Sequence, residues 1–227
     1  MKSNLEVGNP KGLDDHSVLS KEGLDNQSLF SNQGLWVFGY GSLMWRPEFS
    51  YEYRVKGRCA GLQRSFCVRS VHHRGSYAQP GLVLGLDRGG ACDGVLFYVP
   101  PLQALQTLSY LRKREQVTRV YREVYMPVEL LDGSGRVCRA LCYVADRGHK
   151  QYIGSLSVQR KADIIRRCVG QSGKNIDYFL STLRHMDELG FYDADRKRIL
   201  ALTRRAYTLT GEISPTYPTR PAPSSLL

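Results

Sequence analysis

The stretch Leu35-Trp36-Val37-Phe38-Gly39-Tyr40-Gly41-Ser42-Leu43-Met44-Trp45 decides how the rest of the chain is read. Four apolar residues that favour extended backbone run directly into Gly-Tyr-Gly-Ser, the pattern of a buried strand ending in a tight loop. Glycines at 39 and 41 let a ligand approach main-chain N–H groups closely. Successive N–H groups of that kind form a nest for an anion such as a carboxylate or a phosphate. A plain turn and an anion-binding loop both fit this stretch taken alone, so the surrounding sequence has to decide.

A chain of 227 residues can build one substantial domain, and 42% hydrophobic content is ordinary for a globular protein. No apolar run approaches the ~20 residues that cross a bilayer, and the first 34 residues lack the apolar segment of a secretory signal. A cytoplasmic protein without membrane association is expected. The six cysteines, at positions 59, 67, 92, 138, 142 and 168, include no C-x-x-C pair and no histidines at zinc-ligand spacing. They read as reduced core residues. His72 and His73 adjoin each other, so in a strand their rings point to opposite sides, and no metal site is expected.

Thirty-two Lys and Arg against 21 Asp and Glu give a net charge of +11. The basic residues gather at Arg112-Lys113-Arg114, Arg160-Lys161, Arg166-Arg167, Arg196-Lys197-Arg198 and Arg204-Arg205, in segments with helical patterning. No aromatic residues interleave with them as a platform for single-stranded nucleic acid would require. Solvated helix faces are the simpler reading, and no nucleic-acid partner is expected. Attraction of an anionic substrate is compatible with it.

Outward from the opening stretch, residues 1–33 are polar with scattered leucines and read as a mobile tail. Residues 54–60 and 64–70 are short extended segments that Gly61-Leu62-Gln63 would join as a hairpin. After a polar loop over 71–81, strands are expected over 82–86 and 92–99, separated by a turn at Asp87-Arg88-Gly89-Gly90. Pro100-Pro101 opens a helix on which Leu102, Leu105, Leu108 and Leu111 form a core-facing stripe. Residues 120–131 and 136–145 form a hairpin about Asp132-Gly133-Ser134-Gly135. Three helices follow: one capped by Ser157 and closing at Gly170, one from Asn175 to Gly190 carrying Ile176, Phe179, Leu180, Leu183 and Met186, and one over 193–207. A flexible tail over 208–227 ends the chain. Residues 34–207 are expected to form one α+β domain.

One residue breaks the pattern. Continuing the leucine stripe past Leu108 and Leu111 lands on Glu115, an acid where the face asks for a leucine. Burial there would disfavour the charged form and raise the carboxyl's pKa, whereas Arg112, Lys113, Arg114 and Arg119 favour ionisation. In the alternative the helix ends near Arg114, and Glu115 is exposed and paired with Arg112 or Arg119. Residues 113 and 114 are expected to point away from the Leu111 face.

With these residues in hand the chain resembles the ChaC family of glutathione-specific γ-glutamylcyclotransferases, over roughly residues 35–205. The matching pieces, in order, are the 37–45 stretch, His73-Arg74-Gly75, Pro80-Gly81-Leu82-Val83-Leu84-Gly85-Leu86, Gly94-Val95, Leu111 through Arg114-Glu115, Tyr121, and Gly173-Lys174-Asn175-Ile176-Asp177-Tyr178. The resemblance implies a small β-barrel with flanking helices. It implies Glu115 as the catalytic acid-base residue, and Tyr40, Gly41, Ser42, Leu43, Arg74 and Tyr178 as substrate-binding residues. It implies glutathione as substrate, cleaved to 5-oxoproline and Cys-Gly with no cofactor and no metal. Relatives often carry Thr-Pro-Glu after His-Arg-Gly, where this chain has Ser76-Tyr77-Ala78. Two alternatives stand beside it: a cyclotransferase for other γ-glutamyl amines or dipeptides, and a non-catalytic regulator of the same fold.

Overall fold

The computed structural model describes residues 34–191 together with 197–198, 201–202 and 204–205. Both expected tails lie outside the described residues, and the last expected helix falls only partly within them, its described residues being helical. Five strands close a barrel: β1 (Leu35–Gly39), β2 (Tyr53–Ser70), β3 (Gly81–Val99), β4 (Tyr121–Leu130) and β5 (Val137–Ala145), hydrogen-bonded in the order β1-β3-β2-β4-β5. Parallel pairing of β1 with β5, at Trp36↔Ala140 and Val37↔Leu141, completes the ring. Around it pack α1 (Pro101–Glu115), α2 (Val158–Arg167) and α3 (Asn175–Glu188), with a two-stranded ribbon of β6 (Val169–Gly170) and β7 (Gly173–Lys174). The expected α+β barrel with flanking helices is the observed architecture.

The long strands correct two expectations. Neither a hairpin at Gly61-Leu62-Gln63 nor a turn at residues 87–90 forms; β2 and β3 run through both and pair antiparallel from Tyr53↔Tyr98 to Ser70↔Gly81. The register slips between Ala60 and Leu62, where Gly61 faces Gly89 and Gly90, all three with positive φ (78°, 106° and 67°). A bulge bends the ribbon there without ending it, which is how a sheet of two long strands curls into a small barrel. The β4–β5 hairpin forms as expected.

α1 runs the full length to Glu115, but its leucines do not share a face. Each step of three residues falls about 60° short of a full turn, so Leu102 sits about half a circumference from Leu111. Leu102 is fully exposed and Leu105 half-exposed, while Ala104, Thr107, Leu108 and Leu111 are buried. The true stripe ends Leu108, Leu111, Glu115. α2 begins at the expected cap, Ser157 Oγ accepting from Arg160 N–H, yet stops at Arg167. The chain is drawn off into β6 and its turn, where Gln171 and Ser172 N–H donate to the His72 and His73 carbonyls. α3 buries Phe179, Leu183 and Met186, half-buries Ile176 and Leu180, and closes at Gly190 (φ 68°). All six cysteines are free thiols; five are buried and Cys138 is half-buried.

Candidate active site

β1 delivers Tyr40 to the barrel mouth and the chain then tightens into a 3-10 turn over Ser42–Met44. The turn's first backbone bond is Met44 N–H to Gly41 O, 2.9 Å, so the N–H groups of Gly41, Ser42 and Leu43 make no bond within the turn. Gly41 and Leu43 are buried and Ser42 is half-buried. Tyr40 anchors the loop from both ends: its hydroxyl donates to the Tyr143 carbonyl at 2.9 Å, and its carbonyl accepts from Arg64 Nε at 2.6 Å.

Glu115 is the last residue of α1, and its side chain is only 18% exposed. Burial pushes its carboxyl above the ordinary carboxylate range, while the charge and hydrogen bond of Arg114 pull the other way. Arg114, and neither Arg112 nor Arg119, is the observed partner, at 3.2 Å. The expectation that residue 114 points away is therefore overturned, because its long side chain folds back onto the loop after Ser42. Arg114 Nη2 donates to Ser42 Oγ at 3.2 Å, and Nη1 donates to the Arg46 carbonyl (2.7 Å) and the Tyr110 hydroxyl (2.9 Å). One guanidinium thus ties the acid to the glycine loop. Arg112 is drawn off by Glu123, in a two-pronged pair of 2.7 and 2.8 Å.

Two further hydroxyls lie within the electrostatic reach of Glu115. Tyr121 donates to the Leu84 carbonyl at 2.6 Å, and the Leu84 N–H lies 3.5 Å from Tyr178 Oη. They occupy the edge of β3 away from β2, where β5 joins only at Leu86↔Val144. A Cβ placed on Gly41 would lie 4.0 Å from Tyr178 Oη. Burial, reinforced by neighbouring Tyr121 and Glu115, holds the Tyr40 hydroxyl well above its ordinary range. Burial likewise raises Tyr121, with Tyr178 and Glu115 adding to it, and pushes Tyr178 up to about 12. All three are neutral hydroxyls near pH 7, able to donate and accept hydrogen bonds without carrying charge.

Arg74 lies at the rim. Its Nη1 donates to the Ser172 and Lys174 carbonyls at 2.6 and 3.2 Å, and its guanidinium stacks 5.4 Å over the Tyr178 ring. Every sequence-derived candidate thus falls in one neighbourhood: the 40–43 loop, Glu115, Tyr178, and Arg74 packed on Tyr178. Among the described residues no group of His, Cys, Asp or Glu side chains is arranged to hold a metal, and no helix is long and apolar enough to cross a membrane.

The sequence gives no role to Arg64, places Asn175 only at a helix start and in a matching motif, and counts Arg114 among the charges near Glu115. Arg64 had a readable signal, since Leu62, Arg64 and Phe66 share one phase of β2 and a charge among apolar neighbours parallels Glu115 on its helix. The direction of Arg114 and the bonds of Asn175 depend on tertiary contacts and left no mark in the pattern.

The closed five-stranded barrel with flanking helices is the fold of solved γ-glutamyl cyclotransferases. A solved yeast γ-glutamyl cyclotransferase specific to glutathione superposes with a TM-score of 0.70 at 24% identity, covering 78% of this chain and 97% of that one. The chain belongs to the ChaC-like protein family, which it matches over residues 35–205. It is 33% identical over 171 residues to the glutathione-specific γ-glutamylcyclotransferase of Escherichia coli K12, covering 75% of this chain and 73% of that protein. It is 36% identical over 158 residues to human glutathione-specific γ-glutamylcyclotransferase 1, covering 69% and 71%.

Proposed function

We propose that this protein degrades glutathione by intramolecular cyclisation, releasing 5-oxoproline and Cys-Gly, with Glu115 as the acid-base residue. The observation that carries the reading is a carboxyl withdrawn from water and tied through Arg114 to the Tyr40–Leu43 loop. Relatives named for the same activity support it.

The reaction needs the γ-glutamyl chain bent so that its α-nitrogen reaches its own γ-carbonyl. The N–H groups of Gly41, Ser42 and Leu43 grip the α-carboxylate, the one full negative charge at that end of the substrate. Glu115 takes a proton from the α-ammonium, and the freed amine attacks the γ-carbonyl carbon to close a five-membered ring. The C–N bond to cysteine then breaks as Glu115 returns a proton to the departing nitrogen. Two protons pass in all from the attacking to the leaving nitrogen, and one carboxylate between them carries both in turn. Nothing else is consumed, so the reaction is balanced without water, metal, nucleotide or cofactor. A carboxyl held above its ordinary range by burial is a stronger base than a solvated one and a usable acid once protonated. Such assistance is worth about 10²–10⁴-fold, with pre-orientation of the reacting ends supplying much of the rest. Tyr178 offers a neutral hydroxyl to the γ-glutamyl group, and Arg74 places a positive charge at the rim for the peptide end. The cytoplasm, where six free thiols stay reduced, is the compartment this reading assigns.

The test is product analysis. Purified protein incubated with glutathione and no added cofactor should release 5-oxoproline and Cys-Gly in equal amounts by mass spectrometry, and should process γ-glutamyl amines far more slowly. Equal or faster turnover of the amines would remove glutathione specificity, and no turnover of any γ-glutamyl compound would leave a non-catalytic binding protein.

A further inference from the structure

Arg64 is only 1% exposed, the most deeply buried charged residue among those described. Its place in β2 explains how it got there: it alternates with Gln63 and Ser65 and shares the inward phase with Leu62 and Phe66. Taking a guanidinium out of water is costly unless its donors find strong acceptors. Two of its donors meet backbone carbonyls, one on the loop and one on β3. Nε binds the Tyr40 carbonyl at 2.6 Å, Nη2 binds the Asp93 carbonyl, and Nη2 also lies 4.0 Å from Met44 Sδ. Arg64 therefore grips the loop at its first residue and touches it again at the end of the 3-10 turn.

Peptide geometry turns that grip into a functional statement. A trans peptide is planar, so its C=O and the following N–H point in opposite directions. With the Tyr40 carbonyl drawn inward to Arg64, the Gly41 N–H must face outward, away from the barrel core. The next peptide is fixed as well, because the Gly41 carbonyl accepts from Met44 N–H. A positive charge behind the Tyr40 carbonyl also polarises that peptide, making the Gly41 N–H a better donor to an anion.

We infer that Arg64 is a positioning residue for the substrate's α-carboxylate, holding the Tyr40–Gly41 peptide from inside the barrel so that the Gly41 N–H faces the mouth. The inference rests on the cyclotransferase reading above and extends it to a residue that touches no substrate atom. Lysine at 64 keeps a charge but loses the planar fork that reaches two carbonyls and Met44 together.

The experiment compares wild type, Arg64→Lys, Arg64→Gln and Val128→Ala in steady-state glutathione turnover and in thermal unfolding. Val128 is fully buried in β4, so its truncation loosens the barrel without touching the loop. A purely structural loss lowers the folded fraction, which reduces apparent kcat at constant KM; lost ground-state binding raises KM instead. The expected result is a KM raised about tenfold or more in Arg64→Lys with kcat nearly kept, and an unchanged KM in Val128→Ala despite its lower melting temperature. Should Arg64→Lys fail to fold, Arg64→Gln, which keeps a planar donor, carries the same expectation. A wild-type KM in the folded variant, an equal rise in Val128→Ala, or failure of both Arg64 variants to fold would overturn the inference and leave Arg64 as a fold residue alone. Absence of turnover by wild type would instead remove the cyclotransferase reading, and this inference with it.

Discussion

Asn175→Ala tests how the far wall of the site is held. Asn175 is fully buried at the start of α3, and its side chain takes the place of a strand partner for Leu82: Oδ1 accepts from the Leu82 N–H at 2.6 Å and Nδ2 donates to the Leu82 carbonyl at 2.8 Å. Leu82 is itself fully buried, and two residues later Leu84 meets the hydroxyls of Tyr178 and Tyr121. Alanine would leave two backbone groups unpaired where water does not reach, each costing about 1–3 kcal/mol. Taking ~3 kcal/mol for the pair, and about 2–4 °C per kcal/mol for a chain of this size, the melting temperature should fall by roughly 6–12 °C. The same change releases the first turn of α3, which carries Tyr178, so KM for glutathione should rise in whatever protein remains folded. Circular-dichroism melting and steady-state kinetics read the two effects separately. A variant that melts with wild type and keeps its KM would show that the Asn175 bonds neither hold the helix nor place Tyr178.

Two other perturbations bear on the same geometry. Arg114 favours the ionised form of Glu115 against the burial that opposes it, so Arg114→Met leaves burial unopposed and the carboxyl holds its proton to higher pH. The acid limb of the kcat/KM profile, which reports the free base, should move to higher pH; an unmoved limb would contradict the pairing. Gly94→Ala puts a Cβ against the Gly39 carbonyl and the Phe38 ring, directly beneath the strand end that presents Tyr40. Overpacking there should cost about 1–3 kcal/mol in chemical denaturation, and wild-type stability would show that β1 can shift to make room.

What the sequence disclosed followed from local rules. The Leu35–Gly39 run shows as a short continuous apolar segment, the β4–β5 hairpin by its turn residues and α3 by its stripe, and all three signals are visible in a line of residues. The glycines at 61, 89 and 90 misled because a positive φ serves a bulge as readily as a turn, and only the pairing partner distinguishes them. Leu102 misled because a step of three approximates a helical turn over one step and fails over three. Glu115 was found as an acid on an apolar stripe. Its partner was not, because Arg114 turns inward only through contacts with Arg46, Tyr110 and Ser42, which are 68, 4 and 72 residues away. The closure of β1 onto β5 brings together residues about a hundred apart in sequence, and no local rule reaches so far.

Glu115→Gln compared with wild type is the most direct test of the central claim, that one buried carboxyl relays the protons. The amide keeps the shape but can neither take up nor return a proton, and it is spared the cost of ionising in a buried place. Below the unfolded carboxyl's pKa both proteins carry a neutral group; as pH rises through the raised folded value, wild type loses stability that the variant keeps. The variant should therefore melt no lower than wild type near neutral pH, provided Arg114 keeps its bonds to Ser42, Arg46 and Tyr110. Its release of 5-oxoproline from glutathione should fall by about 10²-fold or more. A folded variant that still forms 5-oxoproline at a rate near wild type would contradict the account.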